Sequence, residues 1–208
     1  MKVRICFHKT QGLFNDAYVL ASTIKNNPNF HVETFSYNEM EIYQKKNFNL
    51  QQVDVQFFLE HIVPGICPHA KKNIFIPNVE FLNSYDVKNI QLMDYIFAKT
   101  LYSFDVIKKN FWNIKSFFSG WSSVDRKINS DLKKNYNTFL HVKGTSRFKN
   151  SQFLIDTWLK HQEWPKLKIL LHGSLEQNGY LEINSKELAV SSNIFIVQRK
   201  LDEEELNL

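Results

Sequence analysis

The sequence predicts an α/β protein built from mostly parallel strands and arranged as two units. Short apolar, β-branched runs alternate with stretches of helical spacing, the signature of strands connected by crossover helices. That rhythm breaks at one polar, charged segment, RKINSDLKKNYN, which reads as a linker near residues 125–137. After the break the rhythm restarts and stops early. The expected organisation is therefore a first unit over residues 1–130 and a second, incomplete one over residues 131–208.

Each element has its own signal. KVRICFH (2–8) is an apolar run that begins as a strand at once, without the charged and apolar regions of a signal peptide. After the polar turn KTQG, residues Leu13, Ala17, Leu20, Ala21 and Ile24 recur at helical spacing, and Asn27-Pro28 ends that helix. HVETFSY alternates as a second strand, Val55–Leu59 forms a third, and NIFIPNVEF a fourth closed by Pro77 and Asn78. IQLMDYIFAKT gives a fifth strand, LYSFDVIKKNF a helix, and KSFFSGW a sixth strand ending at a Gly-Trp corner. Past the linker, TFLHVKG, LKILLHG and NIFIVQRK read as strands, with the helix SQFLIDTWLKHQ between the first two. Asp202 has the chemistry of an N-cap, with Glu203–Glu205 in the first turn where the helix dipole favours them.

Composition sets broad limits. A hydrophobic fraction of 43% and a charged fraction of 23% suit a soluble globular chain, and no apolar stretch has a membrane span's length. The net charge of +5 favours anionic partners. Lysines come in ones and twos, never in a block, and no RNA-binding aromatic motif occurs, so a nucleic-acid-binding role ranks last. Cys6 and Cys67 form neither a metal spacing nor a disulfide framework, and His69 lacks companion ligands for zinc. No metal is expected, and the default setting is a reducing, cytoplasmic one.

Three stretches carry candidate chemistry. His8–Gly12 lies between the first strand and the first helix, where a doubly wound sheet usually binds ligands; a simple tight turn is the alternative. One glycine falls far short of a dinucleotide fingerprint. Glu60-His61 follows the third strand at the same edge, where a histidine can orient or deprotonate a hydroxyl or serve only as structure. Lys143–Asn150 is a small polar loop before a helix. Gly144 allows close backbone approach, Thr145 and Ser146 offer hydroxyls and N–H groups, and Arg147 and Lys149 add positive charge. Such a loop at a helix N-terminus suits a phosphate, although it is not a Walker motif.

The ordered pieces FFLEHIVP, NIFIPNVEFL, DYIFAKT and FSGWSSVDR, followed by FLHVKGTSRFKNSQFLIDTWLKHQEWPKLKILLHG, resemble GT-B-fold glycosyltransferases of the family-four type. The resemblance spans nearly the whole chain. It implies two Rossmann-like domains: an acceptor-side N-terminal domain and a nucleotide-sugar-binding C-terminal one. It also implies sugar transfer to a hydroxyl acceptor without a bound metal or other cofactor. Lys149 matches the family lysine that binds the donor diphosphate, with Gly144, Thr145, Ser146 and Arg147 in the same loop. The family's arginine position is held here by Gly144, for which Arg147 or Lys143 would have to substitute. Gly12 and His61 match the general placement of acceptor-side loop residues, with His61 the catalytic candidate at the acceptor hydroxyl. The family continues into an acidic motif that grips the donor ribose and sugar, and this chain stops before it. The expectation is a chain truncated within the donor domain, whose activity would call for a second polypeptide or an unusual site, and whose open second domain invites self-association or a partner. The alternative is a non-catalytic, glycosyltransferase-like binding or partner subunit.

Overall fold

In the computed structural model, β1 (Lys2–His8), β2 (His31–Tyr37), β3 (Val53–Leu59), β4 (Ala70–Ile76), β5 (Tyr95–Ala98) and β6 (Lys115–Phe118) form one sheet. All its pairings are parallel, in the order β2-β1-β3-β4-β5-β6. The structure describes residues 1–38, 40, 48–123, 136–144, 149–171 and 193–198. The chain divides into two units, Met1–Val124 and Asp125–Leu208. The linker read near 125–137 lies mostly outside the described residues, as does the helix start at Asp202.

Helix α1 (Gln11–Lys25) connects β1 to β2. It begins two residues earlier than its apolar spacing suggests, because the Thr10 hydroxyl accepts from the Leu13 N–H at 3.3 Å and caps the helix. Side chains of β1 alternate between two apolar layers. Val3, Ile5 and Phe7 meet Leu13, Ala17 and Ala21 of α1 on one face. Cys6 joins Tyr37, Phe58, Phe75 and Ile96 on the other. Arg4 shares the Cys6 face and is buried. Its guanidinium donates to Gln56 Oε1 at 3.1 Å, to Gln51 O at 2.6 Å and to Glu33 Oε1 at 2.6 Å. Gln56 in turn donates to Asn73 Oδ1 at 3.2 Å. Arg4, Gln56 and Asn73 are register partners across β1, β3 and β4, so they form a polar ladder through the sheet.

The fifth strand is shorter than expected. Ile90–Leu92 forms a 3-10 turn, and the strand covers only Tyr95–Ala98; just before it Asp94 donates its N–H to Asn73 O (2.9 Å) and accepts on its carboxylate from the Asn73 N–H (2.8 Å) and Lys72 (2.7 Å). A helix with no counterpart in the sequence reading, α2 (Ser84–Asn89), precedes that turn and is capped by the Asn83 side chain. Helix α3 (Leu101–Asn110) follows β5 and is capped by Thr100.

In the second unit β7 (Thr138–Gly144), β8 (Lys166–Leu171) and β9 (Ile194–Gln198) form a smaller parallel sheet in the order β7-β8-β9. Helix α4 (Ser151–Lys160) covers it with Ile155 and Trp158 against Leu167, Ile169, Leu171 and Ile194. Among the described residues no helix is long and apolar enough to cross a membrane.

Candidate functional site

Strand β1 lies between β2 and β3, so the first sheet changes its direction of growth there, and the carboxyl ends of β1 and β3 border the switch point. Glu60 and His61 leave β3 at that edge. The His61 N–H donates to Leu59 O at 2.9 Å, closing a three-residue turn, and Glu60 at its centre has a φ of 71°. A non-glycine residue held in that region costs about 1–3 kcal/mol, and such strain concentrates at functional positions.

The turn aims His61 at Asp86, the third residue of α2. His61 Nδ1 lies 2.9 Å from Asp86 Oδ2, while Asp86 Oδ1 accepts from the Ile62 N–H at 2.8 Å. Asp86 is fully buried, whereas the His61 side chain keeps 15% exposure. A carboxylate that accepts from both groups places the imidazole proton on Nδ1 and the basic lone pair on Nε2. Glu60 Oε1 stands 3.6 Å from that Nε2. Below the ring, the Tyr37 hydroxyl donates to His61 O at 3.2 Å. Burial and the neighbouring acidic groups, Asp86 and Glu60 among them, push the Tyr37 phenol well above its usual range, so it remains a donor.

A second chain of contacts extends along the same edge. Asn78, after β4, donates to Glu60 Oε2 at 2.6 Å and accepts from Lys99 Nζ at 2.8 Å. Lys99, after β5, also pairs with Asp16 of α1, and its ammonium lies 5.0 Å from the centre of the Trp121 ring. Trp121 is turned back over the edge by Ser119, whose N–H and hydroxyl both donate to Ala98 O at 2.9 Å, and by Gly120 at a φ of 64°. Gly12 lies in the first turn of α1, not in a loop, and nothing comes within 4 Å of where a Cβ would sit. Its position is open, without a close approach.

The other predicted residues belong to the second unit and are described by themselves. Gly144 ends β7, just after a bulge at Val142/Gly144. Thr145, Ser146 and Arg147 lie outside the described residues. Lys149 is exposed, and its ammonium donates to Val142 O at 2.7 Å. Lys143 is fully buried one position before Gly144. His141 Nε2 lies 2.8 Å from the Ser151 hydroxyl at the start of α4. Burial, then the charges of Lys149 and Lys143, lower the His141 pKa and favour the neutral ring.

Asp86, Lys99, Asn78 and Asp16 were not singled out from the sequence as site residues. Asp86 carries one readable trace, an acid three positions after the capping residue Asn83, in the first turn of a helix. Both cysteines are buried; burial raises the Cys6 thiol far above its usual value and pushes Cys67 up to about 12. Among the described residues no group of three or more His, Cys, Asp or Glu side chains is arranged to hold a metal ion.

No family model matches the chain, and no curated protein matches it in sequence. Among solved structures it is similar to the apo form of the lipopolysaccharide outer core galactosyltransferase WaaB. The identity is 13% and the TM-score 0.52, over 96% of this chain and 68% of that one. The fold is GT-B-like. In such a fold, the six-stranded and three-stranded parallel sheets are its two Rossmann-like units.

Proposed function

We propose that this protein is a glycosyltransferase, or part of one, that moves a sugar from a nucleotide donor to a hydroxyl acceptor. The observation that carries the reading is the His61–Asp86 pair at the switch point of a GT-B-like fold. The first unit is the acceptor side. With its Nδ1 proton held by Asp86, His61 accepts the acceptor's hydroxyl proton on Nε2, and the adjacent Glu60 carboxylate stabilises the imidazolium that forms. The acceptor oxygen then bonds to the anomeric carbon, and the bond from that carbon to the diphosphate oxygen breaks.

The second unit is the donor side, with Gly144, Thr145, Ser146, Arg147 and Lys149 around the diphosphate. Cations and N–H groups at the start of α4 would offset the charge that develops on the leaving group, so no bound metal is invoked. Lys149 already gives one of its three N–H donors to the Val142 carbonyl. The engaged state of Lys149 is the observation that favours the second reading, a glycosyltransferase-like protein that binds without catalysing.

Thermal shift of the intact chain against UDP-, GDP-, ADP- and dTDP-sugars tests the donor side. At a hundredfold excess over Kd, binding adds about 2.7 kcal/mol. At least one nucleotide sugar is expected to raise the melting temperature, and Lys149→Ala to diminish the rise. If no nucleotide sugar stabilises the protein, the donor assignment is wrong.

A further inference from the structure

An open groove of about 420 Å³ lies at the amino ends of β5 and β6, the opposite end of the first sheet from His61. Tyr95 and Lys115, the first residues of those strands, are register partners and line it. Lys72, also in the lining, stands two residues before Ile74, where β4 comes into register with Tyr95. The groove therefore sits where β4 runs past the start of β5. The 3-10 turn before β5 and the turn after α3 border it. In the latter, the Ile114 N–H donates to Phe111 O at 3.1 Å, which makes Trp112 and Asn113 the two central residues.

The polar groups of the groove are of two kinds. Lys72 and Asp94 pair at 2.7 Å, and the other Asp94 oxygen accepts from the Asn73 N–H at 2.8 Å. By contrast, the exposed side chains of Gln91, Asn113 and Lys115 make no hydrogen bond or ion pair among the described residues. Each amide presents two donors beside one carbonyl acceptor, and Lys115 adds three donors. A sulfate or fully ionised phosphate only accepts, so it has nothing to give the two amide carbonyls. A sugar hydroxyl both donates and accepts, and it matches every one of these groups. Met93 and Ile114 supply the apolar part of the lining. At the rim, Trp112 directly precedes Asn113, is 83% exposed and has no ring or cation contact among the described residues. Tryptophan is on average a well-buried residue, so an indole left in water beside a polar groove is a surface waiting for a ligand.

We infer that this groove is a saccharide-binding site, in which Gln91, Asn113 and Lys115 take the hydroxyls and the Trp112 ring covers the apolar face of a sugar. It holds a glycan at the end of the sheet away from His61 and does not act on it. The site stands independently of the transferase reading, because none of its groups belongs to the edge on which that reading rests.

Titration of the intact nitrogen-15-labelled chain, followed by proton–nitrogen NMR, tests it with lactose, maltotriose, diacetylchitobiose and methyl mannoside as probes and inorganic phosphate as control. At least one saccharide is expected to shift, saturably, the side-chain NH2 signals of Gln91 and Asn113 and the indole N–H of Trp112. Gln91→Ala, Asn113→Ala and Trp112→Phe assign those signals by removing them. The groups they change are exposed and without partners, so the rest of each spectrum is expected to keep the parent's dispersion. Gln91→Ala, Asn113→Ala and Trp112→Ala are each expected to weaken binding by about 10-fold, the loss of one hydrogen-bonding group or of the ring contact. The inference falls if no saccharide moves these signals, if phosphate moves them at the same concentrations, or if the three alanine variants bind like the parent. A failure of every nucleotide sugar to stabilise the chain would remove the donor assignment and leave this site standing.

Discussion

His61 is defined by what holds it. Asp86 fixes the ring proton on Nδ1, and that choice depends on Asp86 being able only to accept. In Asp86→Asn the amide oxygen can still take the Ile62 N–H, but the amide NH2 then faces Nδ1. The proton is expected to move to Nε2, which long-range nitrogen–proton NMR reads directly, and stability is expected to drop by about 1–3 kcal/mol from the imperfectly paired buried group. A spectrum with the proton still on Nδ1 would contradict the orienting role of Asp86. His61 was singled out because it follows a strand end at the edge where doubly wound sheets usually bind ligands. Asp86 was not, since it meets His61 only through tertiary folding and locally looks like an ordinary first-turn acid. The cysteines give a second check. With both thiols buried and shifted upward, a thiol reagent is expected to label neither Cys6 nor Cys67 at neutral pH until denaturant unfolds the first unit. Rapid labelling of the native chain would contradict that burial.

Strands and helices were read best where one period ran without interruption. β1, β2 and β7 have the bounds their sequences suggest, because apolar or alternating residues fill each from end to end. β5 was read too long, since its apolar lead-in IQL serves a 3-10 turn. Helix α2 was missed because six residues are too few to show a period. The polar ladder was equally hidden, as a single arginine in an apolar run does not reveal that register places it beside Gln56. Arg4→Ala is expected to cost about 3 kcal/mol by leaving Gln56 Oε1 and Gln51 O unpaired inside the sheet. Hydrogen exchange of β1 and β3 should quicken while β8 and α4 keep their protection; equal protection in both proteins would remove the ladder from the account. In the second unit, His141 has a lowered folded pKa, so the unfolded chain binds its proton more readily, from near its ordinary value of 6.5. The second unit is therefore expected to lose stability as pH falls through 6.5, until the lower folded pKa is passed, with no contribution from His141 at higher pH. The same exchange measurement on α4, compared with His141→Gln, should show this slope in the parent alone. Identical slopes in both would assign it elsewhere.

The two-unit α/β organisation was readable because its rhythm repeats on both sides of a polar break, and a GT-B-like partner among solved structures agrees with it. The chemistry divides between the units. His61, paired with Asp86 and beside Glu60, lies in the first, and lysines at the end of β7 and the start of α4 lie in the second. Residues 145–148 of the loop before α4 lie outside the described residues, and the phosphate reading of that loop comes from its residue types and from the family resemblance. The most direct test joins both halves. The intact chain is incubated with a panel of nucleotide sugars and neutral saccharide acceptors, and acceptor-dependent release of nucleoside diphosphate is measured beside His61→Ala. Release is expected with at least one donor, and loss of the base should slow it by about 10²–10⁴-fold. Release that His61→Ala leaves unchanged, or no acceptor-dependent release with any donor, would contradict catalysis of sugar transfer at this site.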